Sequence, residues 1–340
     1  MAAGPVVCFG EVLLRLSAPP QELLLQYPRL EVAVGGAEAN VAVGLARLGE
    51  PVRMVSVLAD NPLGQAAAGE LRRWGVDTSS IDFVTGRMGL YFLEPGAVLR
   101  ASKVVYDRAG SAFAQAEPGR FDWPALLAGA RWLHVSGVTP AIGGPSAAAA
   151  LAAVSAANKA GVPVSFDGNY RATLWAERSA EAPAILRELI AGAELAFVDD
   201  RDLALALGRG FDAPDPAARR RAAAEAAFAA FPRLTRIAST LRVQQGVDRH
   251  DLSGFMFTRP GAMLATEAFA MSGIVDRIGS GDAFAAGLLH GLFEAMPEPR
   301  ALTFAVASAC AKHAVRGDFN LSRVSDIEAI VAGEALDVRR

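Results

Sequence analysis

Apolar positions along the chain fall into short continuous runs and longer helical periodicities, and their order predicts the architecture. Val6-Val7-Cys8-Phe9-Gly10 is an apolar run stopped by glycine, the pattern of a buried strand. The stretch 11–34 is mixed and broken at Pro19-Pro20 and Pro28, which fits strands and turns better than a helix. Gly35-Gly36 then opens a helix with Val41, Leu45 and Leu48 on one face and Gly49 as its stop. Residues 52–58 read as a strand, and 62–74 as a helix ended by Gly75. A second irregular stretch, 85–108, holds β-like pieces at Gly89-Leu90-Tyr91-Phe92-Leu93 and Lys103-Val104-Val105-Tyr106.

From there strands and helices take turns. Strands are predicted at 132–135, 162–166, 195–198 and 237–239, with helices at 145–159, 179–191 and 216–231. Such βαβ repetition predicts an α/β fold whose parallel sheet is covered on both faces. The two β-rich inserts, 11–34 and 84–108, predict a small lid beside a core built from 1–10, 35–83 and 109–340. Ligands in open α/β sheets bind at the carboxyl ends of strands, which puts Asp167, Asn169, Asp199 and Asp202 at the expected site. The Arg219-Arg220-Arg221 run sits among alanines and reads as a solvated helix face.

Composition narrows the function classes. With 340 residues, 52% of them apolar, the chain has ample material for a buried core. The formal net charge is -3, from 33 basic and 36 acidic residues, so no basic excess points to nucleic acid. Lys103, Lys159 and Lys312 are the only lysines, which leaves few candidates for a phosphate-gripping lysine. Cys8 and Cys310 form no CxxC, and the four histidines lack HxxxH spacing, so a metal site of either kind is excluded. The N-terminus carries no basic leader, and no apolar run approaches the roughly 20 residues of a membrane span. A cytoplasmic protein with reduced thiols and no membrane partner is expected.

The most informative segment is Val275-Asp276-Arg277-Ile278-Gly279-Ser280-Gly281-Asp282-Ala283-Phe284-Ala285-Ala286-Gly287. Its small residues run straight into a helix carrying Leu288, Leu289 and Leu292. Backbone amides there can point at a ligand, and a helix N-terminus favours negative charge. Asp282 lies in that first turn, where the same field would keep it ionised and ready to accept a proton. A plain helix cap is the structural alternative. A dinucleotide fingerprint fails because Phe284 holds the third glycine position, and no G-x-x-x-x-G-K-[ST] phosphate loop exists.

This segment resembles the second signature of the ribokinase/PfkB sugar kinases, D-T-x-G-A-G-D-x-F-x-x-G, with Arg277 and Ser280 as departures. Gly35-Gly36-Ala37-Glu38-Ala39-Asn40-Val41-Ala42 resembles the first signature, and the β-rich inserts fall where that family builds its lid. The resemblance implies a ribokinase-like three-layer α/β/α sandwich with a β lid, acting with ATP and Mg²⁺. It makes Asp282 the base and the amides of Gly279, Ser280 and Gly281 the stabilisers of the transferring phosphoryl group. Phe166-Asp167-Gly168-Asn169-Tyr170-Arg171-Ala172-Thr173-Leu174-Trp175 is further similar to the D-x-N-Y-R-x-x-L-W segment of 2-keto-3-deoxygluconate kinases.

On that likeness the substrate is an acidic keto-sugar. Its carboxylate suits the planar fork of arginine, and Arg108 and Arg171 are the candidates. Gly35, Gly36, Asn40, Tyr91, Tyr106 and Asp318 would complete the sugar site. Asn169, Ser239, Thr240, Arg242 and Ser308 would contact the nucleotide, although the family's glycine turn near the adenine reads Ala238-Ser239-Thr240-Leu241-Arg242-Val243 here. Asp202 replaces the family's magnesium-organising glutamate and would act through water. The implied partners are the sugar, ATP and a second copy of the chain through the lid. A fructokinase- or ribokinase-type enzyme and a non-catalytic sugar-binding protein on the same fold are the alternatives.

Overall fold

The computed structural model describes residues 4–334 apart from residue 260. The expected core boundaries at 1 and 340 therefore lie outside the described residues. Fourteen strands form two sheets: β1 (Val6–Phe9), β2 (Leu13–Ser17), β3 (Glu31–Gly35), β4 (Val52–Ala59), β5 (Asp77–Val84), β6 (Gly89–Glu94), β7 (Lys103–Asp107), β8 (Trp132–Ser136), β9 (Val164–Asp167), β10 (Leu195–Phe197), β11 (Arg236–Gln244), β12 (Arg249–Thr258), β13 (Ala262–Ala265) and β14 (Phe269–Ser272). Twelve α-helices accompany them: α1 (Ala37–Arg47), α2 (Pro62–Arg73), α3 (Trp123–Leu126), α4 (Val138–Ala141), α5 (Gly144–Ala160), α6 (Ala172–Trp175), α7 (Ala182–Ala191), α8 (Asp200–Leu207), α9 (Pro216–Ala230), α10 (Ser280–Phe293), α11 (Glu298–Lys312) and α12 (Val324–Val331).

The large sheet runs β5-β4-β1-β8-β9-β10-β11 in parallel, and then β12 adds on antiparallel, with β13 and β14 both paired to β12. Alternation along β1 sends Val7 and Phe9 to one face and Val6 and Cys8 to the other. Helices α5, α7 and α9 cover the first face; α1, α2, α10 and α11 cover the second. This is the ribokinase-like α/β fold that the motifs imply, with a second small sheet beside it.

Small residues bring the site-bearing helix into place. A Cβ on Gly287 would lie 2.9 Å from Ala305 and Ser308 of α11, and one on Gly44 would lie 2.9 Å from Ala286. Glycine at these contacts lets α10 lie close against both α11 and α1.

The second sheet has the order β3-β2-β6-β7, drawn from the two inserts. One face carries the row Ala33, Arg15, Tyr91 and Tyr106, side by side across the strands. The opposite face carries Val32, Leu16, Phe92 and Val105. Strand β5 and the hairpin β12–β14 are absent from the sequence-based reading. β5 is a half-buried edge strand with little apolar signal, and the part of β11 out to Gln244 is paired residue by residue with β12.

Candidate active site

Parallel strands deliver their carboxyl ends to one edge of the sheet, and the N-termini of α1 and α10 face that edge. At α1, Gly36 adopts φ 141°, and a Cβ there would lie 2.2 Å from the Glu11 carbonyl. This glycine lets the turn from the lid into α1 pass directly over the end of β1. Glu38 in the next turn is buried and accepts hydrogen bonds from Ser136 (N–H and Oγ) and Thr139 Oγ1. It ties α1 to the end of β8, and burial raises its pKa against those bonds. The sequence reading passed over this glutamate, although it stands inside the first signature.

At α10, Gly279 is the N-cap in the left-handed region (φ 82°), and a Cβ there would lie 2.0 Å from the Asp318 carbonyl. The amides of Gly279, Gly281 and Asp282 donate to no other group among the described residues. The Ser280 amide instead donates to the Arg277 carbonyl at 3.3 Å. Three amides at this turn, those of Gly279, Gly281 and Asp282, are thus left without an acceptor, whereas that of Ser280 is taken.

Asp282 is 7% exposed, and Asn40 Nδ2 donates to its Oδ2 at 2.6 Å. Burial pushes its pKa up to about 7, while the Asn40 bond and the charge of Arg171 pull the other way. Desolvation thus works against the ionised form that the helix field is expected to favour.

The small sheet borders one side. Tyr91 Oη donates to Asp318 Oδ2 at 2.8 Å, and Tyr106 lies with its ring centroid 6.4 Å from that of Tyr91. Gly35 makes room for Asp318, whose Oδ2 lies 2.1 Å from where a Cβ would stand. Arg15, which the sequence reading missed, reaches from β2 to Asp276 (2.6 Å) and Asp318 (3.0 Å). A lone arginine between Leu14 and Leu16 in a strand was the available signal. Arg108 is 6% exposed, and its Nε is bound to Glu11 Oε2 at 2.6 Å, with Ser111 Oγ on the other carboxylate oxygen. The Nε of Arg108 is thus taken by a buried ion pair at the foot of the small sheet, while its two terminal nitrogens make no hydrogen bond or ion pair among the described residues.

Residues after β9 and β10 and on β11 lie at the same edge of the sheet. Arg171 is exposed and makes no ion pair, yet its charge reaches Asp167, Asp202 and Asp282. Asn169, at φ 35°, donates its amide to Asp167 Oδ1 at 3.1 Å, and its own Oδ1 is buried without a partner. Asp167 is raised well above the usual carboxylate range by burial and then by Asp282 and Asp202.

Asp202 completes a capping box with Asp199, accepting the Asp199 amide at 3.1 Å, so it has a structural task whatever else it does. Its pKa is pushed up to about 7 by burial and Asp199. Among the described residues no three acidic, His or Cys side chains converge as a direct metal site.

Ser239 is buried and Thr240 half-buried on β11, and Arg242 is exposed near its end. Ser308 does not reach the cleft. It is fully buried between α10 and α11, donating to the Ala283 carbonyl at 2.9 Å and accepting from Asn320 Nδ2. Its hydroxyl fastens two helices and is withdrawn from nucleotide contact. Lys312 is likewise buried, with Nζ donating to the carbonyls of Val315 (2.8 Å) and Asp276 (3.3 Å).

Residues 4–322 match the pattern of the pfkB family carbohydrate kinases. The chain is 30% identical over 328 residues to the 2-dehydro-3-deoxygalactonokinase of Haloferax volcanii, covering 96% of each. It is 28% identical over 334 residues to the 5-dehydro-2-deoxygluconokinase of Shouchella clausii, covering 96% of this chain and 95% of that one. The solved structure of the 2-dehydro-3-deoxygluconokinase of Thermotoga maritima matches with a TM-score of 0.91 at 38% identity, over 97% of this chain and 100% of that one. A buried aspartate beside open helix amides, faced by a small sheet and matched along almost the whole length, leads to one statement: this chain belongs to the pfkB family of carbohydrate kinases.

Proposed function

We propose that the enzyme transfers the γ-phosphoryl group of ATP to the terminal primary hydroxyl of 2-keto-3-deoxygluconate. The observation that carries the acidic-sugar reading is Arg171, an exposed guanidinium without an ion-pair partner whose charge reaches Asp282. An unpaired planar cation beside the base suits a substrate carboxylate, and a neutral sugar has no use for it. The relatives named for dehydro-deoxy sugar acids point the same way.

In this reading Asp282 takes the hydroxyl proton as the new oxygen–phosphorus bond forms and the bond from γ-phosphorus to the ADP oxygen breaks. The amides of Gly279, Gly281 and Asp282 stabilise the negative charge of the transferring group. Asn40 orients the base, and Asp318, held by Tyr91 and Arg15, bounds the sugar. Ser239, Thr240 and Arg242 serve the nucleotide. Asn169, whose buried Oδ1 has no partner, joins the nucleotide contacts, and Asp202 would act on a hard cation through its waters. Bound Mg²⁺ would neutralise charge on the phosphate oxygens.

The same proposal divides the chain into a core of 1–10, 35–83 and 109–340 and a lid of 11–34 and 84–108, which excludes water from the reaction. The lid's outer row includes Val32, 62% exposed, and Val105, 54% exposed, which supports pairing with a second copy of this chain. No described helix is long and apolar enough to cross a membrane. Two free buried thiols, Cys8 and Cys310, support a cytoplasmic setting.

A coupled assay of ADP release across 2-keto-3-deoxy acids, fructose and ribose tests the reading. Turnover with the keto-deoxy acids at least about tenfold above the neutral sugars is expected, the scale of one charge-assisted contact. Equal or higher efficiency with fructose or ribose overturns it, and no ADP release with any sugar leaves a binding protein.

A further inference from the structure

Arg277 departs from the family signature, and with Arg242 and Arg171 it forms a group of guanidiniums that have no ion-pair partner among the described residues. They come from three separate elements. Arg171 precedes α6, Arg242 lies toward the end of β11, and Arg277 stands two residues before the N-cap of α10.

Backbone contacts bring the last two together. The amides of Val275 and Asp276 donate to the His313 carbonyl, which fixes the segment holding Arg277 against the end of α11. The His313 ring packs edge-on against His250, 6.3 Å away, and His250 pairs with Gln244 two residues beyond Arg242 on β11. The charges feel one another: Arg277 and Arg171 both hold Arg242 below the usual arginine range, after partial desolvation. Arg242 and Arg277 also depress His250. Like charges gathered without an ion-pair partner are an arrangement that a multiply charged anion relieves.

We propose that Arg277 and Arg242 form a clamp for the phosphate chain of the nucleotide, handing the terminal phosphate to the open amides of α10 and leaving Arg171 to the substrate carboxylate. This rests on the kinase reading and adds to it a role for the residue that breaks the signature. It also moves Arg242 from the base to the phosphates. A single substrate carboxylate needs one planar cation, whereas a triphosphate matches several. The lysines offer no substitute: Lys312 is buried on carbonyls, Lys103 lies on the lid beside Glu94, and Lys159 is in the last turn of α5.

Calorimetric titration of wild type, Arg277→Ala, Arg277→Lys and Arg242→Ala with ATP, inorganic tripolyphosphate and adenosine tests the clamp. Arg277→Ala and Arg242→Ala should each weaken ATP and tripolyphosphate by about 10- to 100-fold, with adenosine within about twofold of wild type. Arg277→Lys should recover part of the loss as a point charge. Because the group is self-repelling, the melting temperature of unliganded Arg277→Ala should equal or exceed that of wild type.

ATP affinity within twofold of wild type in Arg277→Ala overturns the clamp, as does an equal loss for adenosine and ATP, which marks a merely structural residue. If Arg277→Ala fails to fold, the same comparison is read from Arg277→Lys and Arg242→Ala. Wild type that binds neither ATP nor tripolyphosphate defeats the kinase reading itself, whereas turnover with an indifferent Arg277 defeats the clamp alone.

Discussion

Asn40 Nδ2 lies 2.6 Å from Asp282 Oδ2, so the first turn of α1 holds the carboxylate of the first turn of α10 across 242 residues of sequence. The two family signatures meet in this one hydrogen bond. The bond lowers the carboxyl pKa but does not cancel burial, which leaves it raised to about 7.

Replacing that carboxylate tests its role. Asp282→Asn keeps the Asn40 contact but cannot accept a proton, so kcat should fall by about 10²–10⁴ with sugar affinity largely retained. Turnover near that of wild type would remove Asp282 from the chemistry.

The pH profile should carry the same signature. Asp282 and Asp202, both raised to about 7, are protonated on the acid side, so kcat/KM should rise with pH and level off above about pH 7. Stability runs the opposite way. A folded-state pKa above the unfolded value means the ionised form is disfavoured in the fold, so stability is lost as pH rises through about 7. Thermal unfolding should therefore show Asp282→Asn gaining a few degrees over wild type at pH 8, with the gap closing toward about pH 4. A gap independent of pH would contradict the assignment.

Tyr91→Phe removes the only hydrogen bond that the lid tyrosine makes to Asp318 but leaves the Arg15 contact in place. Steady-state kinetics should show KM for the acid sugar rising by about tenfold with kcat little changed, the scale of one hydrogen bond to a charged group. A fall in kcat alone would place Tyr91 in the chemical step.

Arg171→Lys keeps the charge and loses the fork. Efficiency should drop further for keto-acid sugars than for neutral ones. An equal drop for both would assign Arg171 to the nucleotide alone.

Arg108→Ala separates a binding arginine from a structural one. Because Arg108 pairs with Glu11 in the interior, its removal strands a buried carboxylate and should cost about 3–5 kcal/mol in denaturant unfolding. Unchanged stability with a raised sugar KM would return Arg108 to the substrate.

The α/β class, the second small sheet and the two signatures were legible in the chain because each depends on local chemistry. Apolar runs and periodicities report burial, and glycines mark turns that no other residue makes cheaply. The strands β5, β12, β13 and β14 were not legible, since strands at and near the sheet margins owe their form to a neighbour's backbone. Nor were the site's working partners: Arg15 with Asp276 and Asp318, Glu38 with Ser136, and Arg108 with Glu11 are each joined from distant parts of the chain. By itself the sequence determined which chemical groups the protein possesses and which way its helix amides point. Only the tertiary structure decided which charges are neutralised by partners and which are left facing the cleft. That balance is set by desolvation and pairing across elements, which appear only once the chain has folded.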